Sequence, residues 1–414
     1  MASKFQAPRG TFDVLPEQAR ARGRLEQAAA AVFSRAGYEP IATPAFEDTA
    51  LFERGVGKST DIVRKEMFTF EDKGERSLTL RPEGTASICR AYLEHGMHKL
   101  AQPVKLSYLG PFFRHERPQA GRYRQFHQLG AECIGTDSPL ADAEVIMLLS
   151  DLLAELGVPG VELRLGSLGS FEARRAYLED LKAHLHAHEG ELSKDVRERI
   201  DINPLRAFDS DDEGTRGVMA SAPTIVEQLE GEDAEHFEEV RALLDAAGVA
   251  YAVDPTLVRG LDYYTRTIFS FVCDRLGAQS EVGGGGRYDG LIEQLGGKPT
   301  PAVGFAAGIE RILLALDEEV PAAGRDAFIA VADPELRGRA MALAVELRHA
   351  GVSAELDLAG RSLKGQLKHA DRIGARRVLI LEADGSAQVR DMTTGEQHAA
   401  DPGKLVEEMT GGES

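Results

Sequence analysis

The sequence predicts an α+β protein: an antiparallel sheet flanked by helices, a helical insertion, and a small C-terminal α/β domain. Three observations predict it. Between Tyr38 and about Gly166, short β-branched and aromatic runs are broken by helix-forming stretches such as residues 84–94 and 140–156, an order unlike strict βαβ alternation. From about Phe171 to Val249 the composition turns charged and helix-forming. After about residue 325, strand-like and helix-like segments alternate to the end of the chain.

Each element has its own signal. Residues 16–35 are rich in Ala, Glu and Arg, with Leu25, Ala29 and Phe33 at helical spacing and Gly37 closing the helix. In the insertion, residues 171–188 and 235–247 read as helices, separated by the turn-like Asn203-Pro204 and the acidic run 209–213. Strand-like sequence resumes at Tyr251 and passes through the glycine cluster 283–286, read as a loop that lets backbone approach a ligand, to Leu316. Residues 318–325 have linker composition. Beyond them DAFIAVAD, a helix over 335–350, SAELDL, a helix over 362–373 and RRVLILEAD form a doubly wound unit. The expected domains are therefore 1–170 with 250–320, the insertion 171–249, and 325–414.

At 414 residues with 43% hydrophobic content, the chain can bury more than one core. The N-terminus lacks a signal-peptide pattern and no apolar run is long enough to cross a bilayer, so a cytoplasmic protein with no membrane contact is expected. Cys89, Cys133 and Cys273 lie far apart, which suits a reducing compartment and predicts no structural metal. A net charge of -19 excludes indiscriminate binding of nucleic acid and confines such contacts to local basic patches. One patch lies at 361–377, where Arg361, Lys364, Lys368, Arg372, Arg376 and Arg377 face only Asp371; Lys364, Lys368 and Arg372 share a helical face. Two other patterns read as incidental. Residues 55–60 (GVGKST) resemble the end of a phosphate-binding loop, but the required first glycine falls at Phe52. Of His184, His186 and His188, only His184 and His188 share a helical face, with no third ligand nearby, and the stretch reads as an exposed charged helix.

The most informative segment is 112–133, FFRHERPQAGRYRQFHQLGAEC, read as two strands joined by a loop around 118–121. Strand alternation sets Phe112, Arg114 and Glu116 on one face, together with Arg122, Arg124, Phe126, Gln128 and Glu132. Cross-strand ion pairs on a solvent-facing sheet would show the same pattern. A nucleotide site would also need these groups: a purine platform, cations for phosphates and carboxylates for amines.

Arg114-x-Glu116, a loop, then Arg122-x-x-x-Phe126 resembles motif 2 of class II aminoacyl-tRNA synthetases. The stretch Gly304-Phe-Ala-Ala-Gly308-Ile-Glu310-Arg311 resembles their motif 3, with Ala306 in place of its second glycine. Residues 38–47, with Pro44, resemble motif 1, which in this class belongs to a dimer interface. Two further stretches, Leu257-Val-Arg259-Gly-Leu-Asp262-Tyr263-Tyr264-Thr265 and Gly283-Gly-Gly-Gly-Arg287-Tyr288-Asp289-Gly290, are similar to signature peptides of histidyl-tRNA synthetases.

The resemblance implies a histidine–tRNA ligase working as a homodimer on L-histidine, ATP with Mg2+, and tRNA(His). Arg114 is then expected at the ATP α-phosphate and Arg259 as the catalytic cation there, where a metal ion stands in related enzymes. Glu116 and Arg122 join the ATP site, with Phe126 and Arg311 sandwiching the adenine. Glu83, Gly84 and Thr85 resemble the ammonium-binding segment, and they also read as a capping cluster with Thr85 at a helix N-terminus. Gln128 is expected at the amino acid's main-chain end, Glu132 and Tyr264 at the imidazole nitrogens, and Tyr263 and Tyr288 along the pocket wall. For tRNA, the resemblance implies Arg117 and Gln119, with Arg122, near the acceptor end and Lys364, Lys368 and Arg372 on the anticodon side. The alternative is a catalytically inactive histidine-sensing paralogue, such as the regulatory subunit of ATP phosphoribosyltransferase. Such proteins tend to lose the arginine found here as Arg259, and the C-terminal domain.

Overall fold

The computed structural model describes residues 5–57, 60–317 and 324–411. Lys58 and Ser59 of the 55–60 stretch, and most of the expected linker, lie outside the described residues. The chain forms two compact units, Met1–Val320 and Pro321–Ser414.

In the first unit the strands are β1 (Glu39–Pro40), β2 (Phe46–Asp48), β3 (Phe68–Glu71), β4 (Ser77–Leu80), β5 (Val104–Phe113), β6 (Gln125–Ile134), β7 (Val161–Ser167), β8 (Ala252–Val253), β9 (Thr265–Cys273), β10 (Glu281–Arg287) and β11 (Ala302–Gly308). Eight of them make one sheet in the order β1-β5-β6-β11-β10-β9-β7-β8. Every pairing from β5 across to β7 is antiparallel, and the short edges β1 and β8 run parallel to their neighbours. Strands β2, β4 and β3 form a separate small sheet.

Strand alternation decides what the large sheet presents on each face. Leu129, Ala131 and Cys133 of β6, with Val303, Phe305 and Ala307 of β11, point into the main core. There they meet Leu25, Ala29 and Phe33 of the helix Pro16–Arg35 and Ile146, Leu149 and Leu153 of the helix Pro139–Glu155. The second helix starts sharply because Pro139 occupies its first turn and the Ser138 side chain accepts from the Leu140 amide. The intervening residues Gln128, Glu132, Gly304 and Ala306 are left on the opposite face.

The charged stretch is helical, as its composition predicts. Tyr177, Leu181 and Leu185 of the helix Phe171–Ala187 anchor a local core with Leu192, Ile200 and Val218. The last helix, Gly231–Ala246, instead sends Phe237, Val240 and Leu244 into the core behind the large sheet. His184 and His188 stack at 4.7 Å, and their ring nitrogens bond the carbonyls of Val218 and His184. The residues before the 55–60 stretch form the helix Thr49–Gly55, not the strand that a phosphate-binding loop follows. No helix among the described residues is long and apolar enough to cross a membrane.

In the second unit β12 (Ala327–Val331), β13 (Ala354–Leu356) and β14 (Arg377–Leu381) are parallel, in the order β13-β12-β14. The sheet continues antiparallel into β15 (Ala387–Asp391) and β16 (Gln397–Ala400). Strand–helix alternation therefore ends at β14, because the turns that follow are too short for a crossover and permit only hairpins. The helix Leu363–Arg372 buries Ala370 and leaves Lys364, Lys368 and Arg372 exposed.

Candidate active site

Arg114, Arg259 and Arg311 come from three distant parts of the chain and line one cleft of about 690 Å³ on the polar face of the large sheet. The Arg114 Nε donates to the Pro82 carbonyl at 2.9 Å, and its guanidinium lies 5.3 Å from the centre of the Phe126 ring. Burial pulls its pKa below the usual arginine value, against the pull of Glu66 and Glu83. Arg259 donates from Nη1 to both oxygens of Glu281 at 3.0 Å and lies over the Tyr264 ring at 5.6 Å. Burial works against its charge too, but Glu281 and Tyr264 outweigh that and raise its pKa. Arg311 donates from Nε to the Gly121 carbonyl at 3.0 Å and from Nη1 to the Glu281 carbonyl at 2.9 Å. Glu281 thus steadies two of the three cations, one through its side chain and one through its backbone.

Thr85, Gln128, Tyr263, Tyr264, Tyr288 and Gly304 line the same cleft, while Glu132, expected at the imidazole, lies behind its lining. Glu132 is fully buried and accepts from the Thr85 hydroxyl at 2.8 Å and the Tyr288 hydroxyl at 2.6 Å. Desolvation raises its carboxyl to about 8, although both hydroxyls oppose the shift. The opposite wall must be glycine at 304, because a Cβ there would come within 1.7 Å of a Glu132 oxygen. The Tyr263 ring lies 4.7 Å from that of Tyr264 and 5.7 Å from that of Tyr288. The buried Gln128 Oε1 has no hydrogen-bond partner among the described residues, leaving an acceptor toward the cleft.

Several sequence expectations need correction in detail. The glycine run 283–286 is no loop but the middle of β10. Its glycines answer close packing: a Cβ on Gly284 would meet the Arg259 guanidinium at 2.9 Å, and one on Gly285 the Gly304 carbonyl at 2.0 Å. Strand β5 stops at Phe113 and β6 starts at Gln125, so Arg114, Glu116, Arg122 and Arg124 lie outside the alternation that was extended to them. Arg114, Glu116 and Arg122 still reach the cleft, Glu116 pairing with Arg122 and lying 3.9 Å from Arg114. Arg124 does not; its Nε donates to the Glu116 carbonyl at 3.2 Å and its backbone amide to Gly10. The capping cluster expected around Thr85 is present: Thr85 opens the helix Thr85–Glu94, and the Glu83 side chain caps it, accepting from the Thr85 amide at 2.7 Å and the Ala86 amide at 2.9 Å, which leaves the Thr85 hydroxyl for Glu132.

Gly84 lies against Tyr108, where a Cβ would come within 2.8 Å of the ring. Arg117 and Gln119 are exposed in the loop between β5 and β6. Of the six cations at 361–377, Arg361 pairs with Asp357 and Arg376 with Asp326. Sequence reasoning missed Glu281, Glu310, Arg206 and Asp209, all of which line the cleft. Glu281 could have been suspected from its place two residues before the glycine run. Glu310 in the motif 3-like stretch and Asp209 in the acidic run were given no role of their own, and Arg206 had no local pattern to distinguish it.

Comparison with known proteins agrees with this geometry. The family model described as histidyl-tRNA synthetase matches residues 10–312, and that of an anticodon binding domain matches residues 326–411. The histidine–tRNA ligase of Halothermothrix orenii is 48% identical, covering 98% of this chain and 98% of that protein. Among solved structures, apo S. aureus histidyl-tRNA synthetase is 37% identical with a TM-score of 0.83, covering 98% of this chain and all of that one. A Bacillus halodurans C protein described as an ATP phosphoribosyltransferase regulatory subunit/histidyl-tRNA synthetase is 25% identical with a TM-score of 0.68, over 92% of this chain. A family model matching most of the chain, with 48% identity to a histidine–tRNA ligase over nearly the whole length, makes the assignment: the chain belongs to the histidyl-tRNA synthetase family.

Proposed function

We propose that this chain activates L-histidine with MgATP and transfers it to the 3′-terminal adenosine of tRNA(His). The observation that carries the reading is the convergence of Arg114, Arg259 and Arg311 on one cleft that Thr85, Gln128, Tyr263, Tyr264 and Tyr288 also line. In the first step a histidine carboxylate oxygen attacks the α-phosphorus and the bond to pyrophosphate breaks. Arg114 and Arg259 meet the charge that builds on the non-bridging oxygens. Phe126 and Arg311 take the two faces of the adenine, with Glu116 and Arg122 at its edge and the phosphates. Glu83 and the open Gln128 acceptor suit the ammonium, while Glu132 and Tyr264 take the imidazole, with Tyr263 and Tyr288 as walls. In the second step a ribose hydroxyl attacks the acyl carbon and AMP leaves.

Arg117 and Gln119, exposed on the β5–β6 loop, are suited to the acceptor end, and the C-terminal helix face to the anticodon side. We assign the reaction to the cytoplasm and to a homodimer using residues 38–47; within that segment the exposed Phe46 meets the exposed Phe70 edge to face at 6.3 Å. Magnesium enters as part of the nucleotide substrate.

Exchange of labelled pyrophosphate into ATP, compared across amino acids, tests the reading: it should depend on histidine. Histidine binding without exchange would instead mark a sensing paralogue. A separate result is expected on the tRNA side. Changing Lys364, Lys368 and Arg372 together to alanine should weaken tRNA charging and spare pyrophosphate exchange. It should also reduce the salt slope of tRNA binding by about two to three. Equal loss of charging and exchange would reject the tRNA role.

A further inference from the structure

The proposed adenine slot is formed by Phe126 on β6 and Arg311 on the helix Ile309–Leu316. Their chain neighbours, His127 after Phe126 and Glu310 before Arg311, are bonded directly to each other. Both Glu310 oxygens accept the His127 backbone amide, at 3.0 and 2.9 Å, and one accepts the ring Nδ1–H at 2.9 Å. A carboxylate only accepts, so the ring must be the donor. The pair sits where the sheet runs out. Strand β11 pairs with β6 as far as Gly308 opposite Gln128, and then turns into the helix. The His127 amide donates on the side of that missing strand, where no backbone carbonyl of β11 remains opposite it. A side-chain carboxylate therefore stands in for the next strand's carbonyl.

We propose that Glu310 is a positioning residue that sets the width and alignment of the adenine slot by clamping β6 to the helix that carries Arg311. The inference rests on the adenine assignment above. Gln128 and Glu132 lie on the part of β6 still laddered to β11, so the clamp acts on the nucleotide side and not on the histidine pocket. A general stabilising contact would loosen both.

The test is steady-state pyrophosphate exchange with histidine affinity measured separately, in the absence of ATP. Glu310→Ala should raise the KM for ATP about tenfold or more and leave the histidine Kd within about twofold. Glu310→Gln should restore the KM to within about threefold of the parent. Its amide oxygen can still accept the backbone amide, and its NH2 can donate to Nδ1 once the ring takes the other tautomer. His127→Ala, which keeps the backbone bond, should show a smaller rise with the same selectivity, and it decides the matter if the Glu310→Ala protein does not fold. An unchanged KM for ATP, or equal weakening of histidine binding, overturns the clamp. Phe126→Ala separates the two ideas: a raised KM there beside an unaffected Glu310→Ala sinks only the clamp, whereas no effect of either removes the adenine assignment itself.

Discussion

Changing Arg259 to glutamine is expected to slow histidine-dependent pyrophosphate exchange about a hundredfold or more, with histidine affinity shifted by no more than about threefold. The reason is where the guanidinium is held. It is nearly buried, paired through Nη1 with Glu281 and stacked on Tyr264, so its charge is already oriented before substrate arrives. Preorganised charge needs no rearrangement as negative charge builds on the α-phosphate, and its effect therefore appears mainly in kcat. Glutamine keeps a polar tip but loses the cation. Lysine keeps the cation but loses the planar fork that Glu281 and a phosphate oxygen can share, so it should recover only part of the rate. Single-turnover adenylate formation measures this directly. A variant whose only defect lies in the KM for ATP would mean that Arg259 binds the ground state and does not act on the reacting phosphate.

Changing Glu132 to glutamine should raise the KM for histidine by about tenfold to a hundredfold, since a buried charge-assisted hydrogen bond to the imidazole is lost. It should also alter the pH profile. The carboxyl of the free protein titrates near 8 because burial disfavours its charge, whereas free imidazole titrates near about 6.5. Between these values carboxyl and imidazole together bring one proton, which suits a hydrogen-bonded ion pair. The kcat/KM for histidine should then decline below about 6.5 and again above about 8, and the upper decline should vanish in the variant.

Stability supplies an independent check. The folded pKa lies above the ordinary value of 4.5. As pH rises through that window the unfolded chain releases its proton first, so the stabilisation present at low pH is lost by the time the folded group titrates. Glutamine removes this loss. The melting temperature of the ligand-free variant, relative to the parent, should therefore increase steadily from about pH 5 to about pH 8. A flat difference would mean that Glu132 is not the buried acid described here.

Legibility differed from residue to residue. Phe126, Gln128 and Glu132 were readable because they alternate within a real strand, and strand alternation is a local rule. The same rule, carried past the strand ends, misplaced Arg124 and gave Arg114 and Glu116 the correct neighbourhood for the wrong reason. Glycines 283–286 were misread because a glycine run in sequence states only that side chains are missing. Whether they are missing for a turn or for crowding depends on neighbours such as Arg259 and the Gly304 carbonyl. That residues 83–85 cap a helix was legible, but which side chain does so was not, because capping depends on which side chain can bend back to the helix amides, and that is a matter of backbone direction.

By itself the sequence determined the α+β class, the apolar faces of the helices, the exposed cationic face of the helix Leu363–Arg372, and the family. These follow from periodicity and from motifs whose residues are neighbours in the chain. Only the tertiary structure decided which groups steady the candidate site: Glu281 under two arginines, Thr85 and Tyr288 on Glu132, Glu310 on His127. Those contacts join residues tens to hundreds of positions apart, chosen by strand order and by where strands end. No local spacing encodes them, because a hydrogen bond is sensitive to fractions of an ångström between elements that meet only when the core packs.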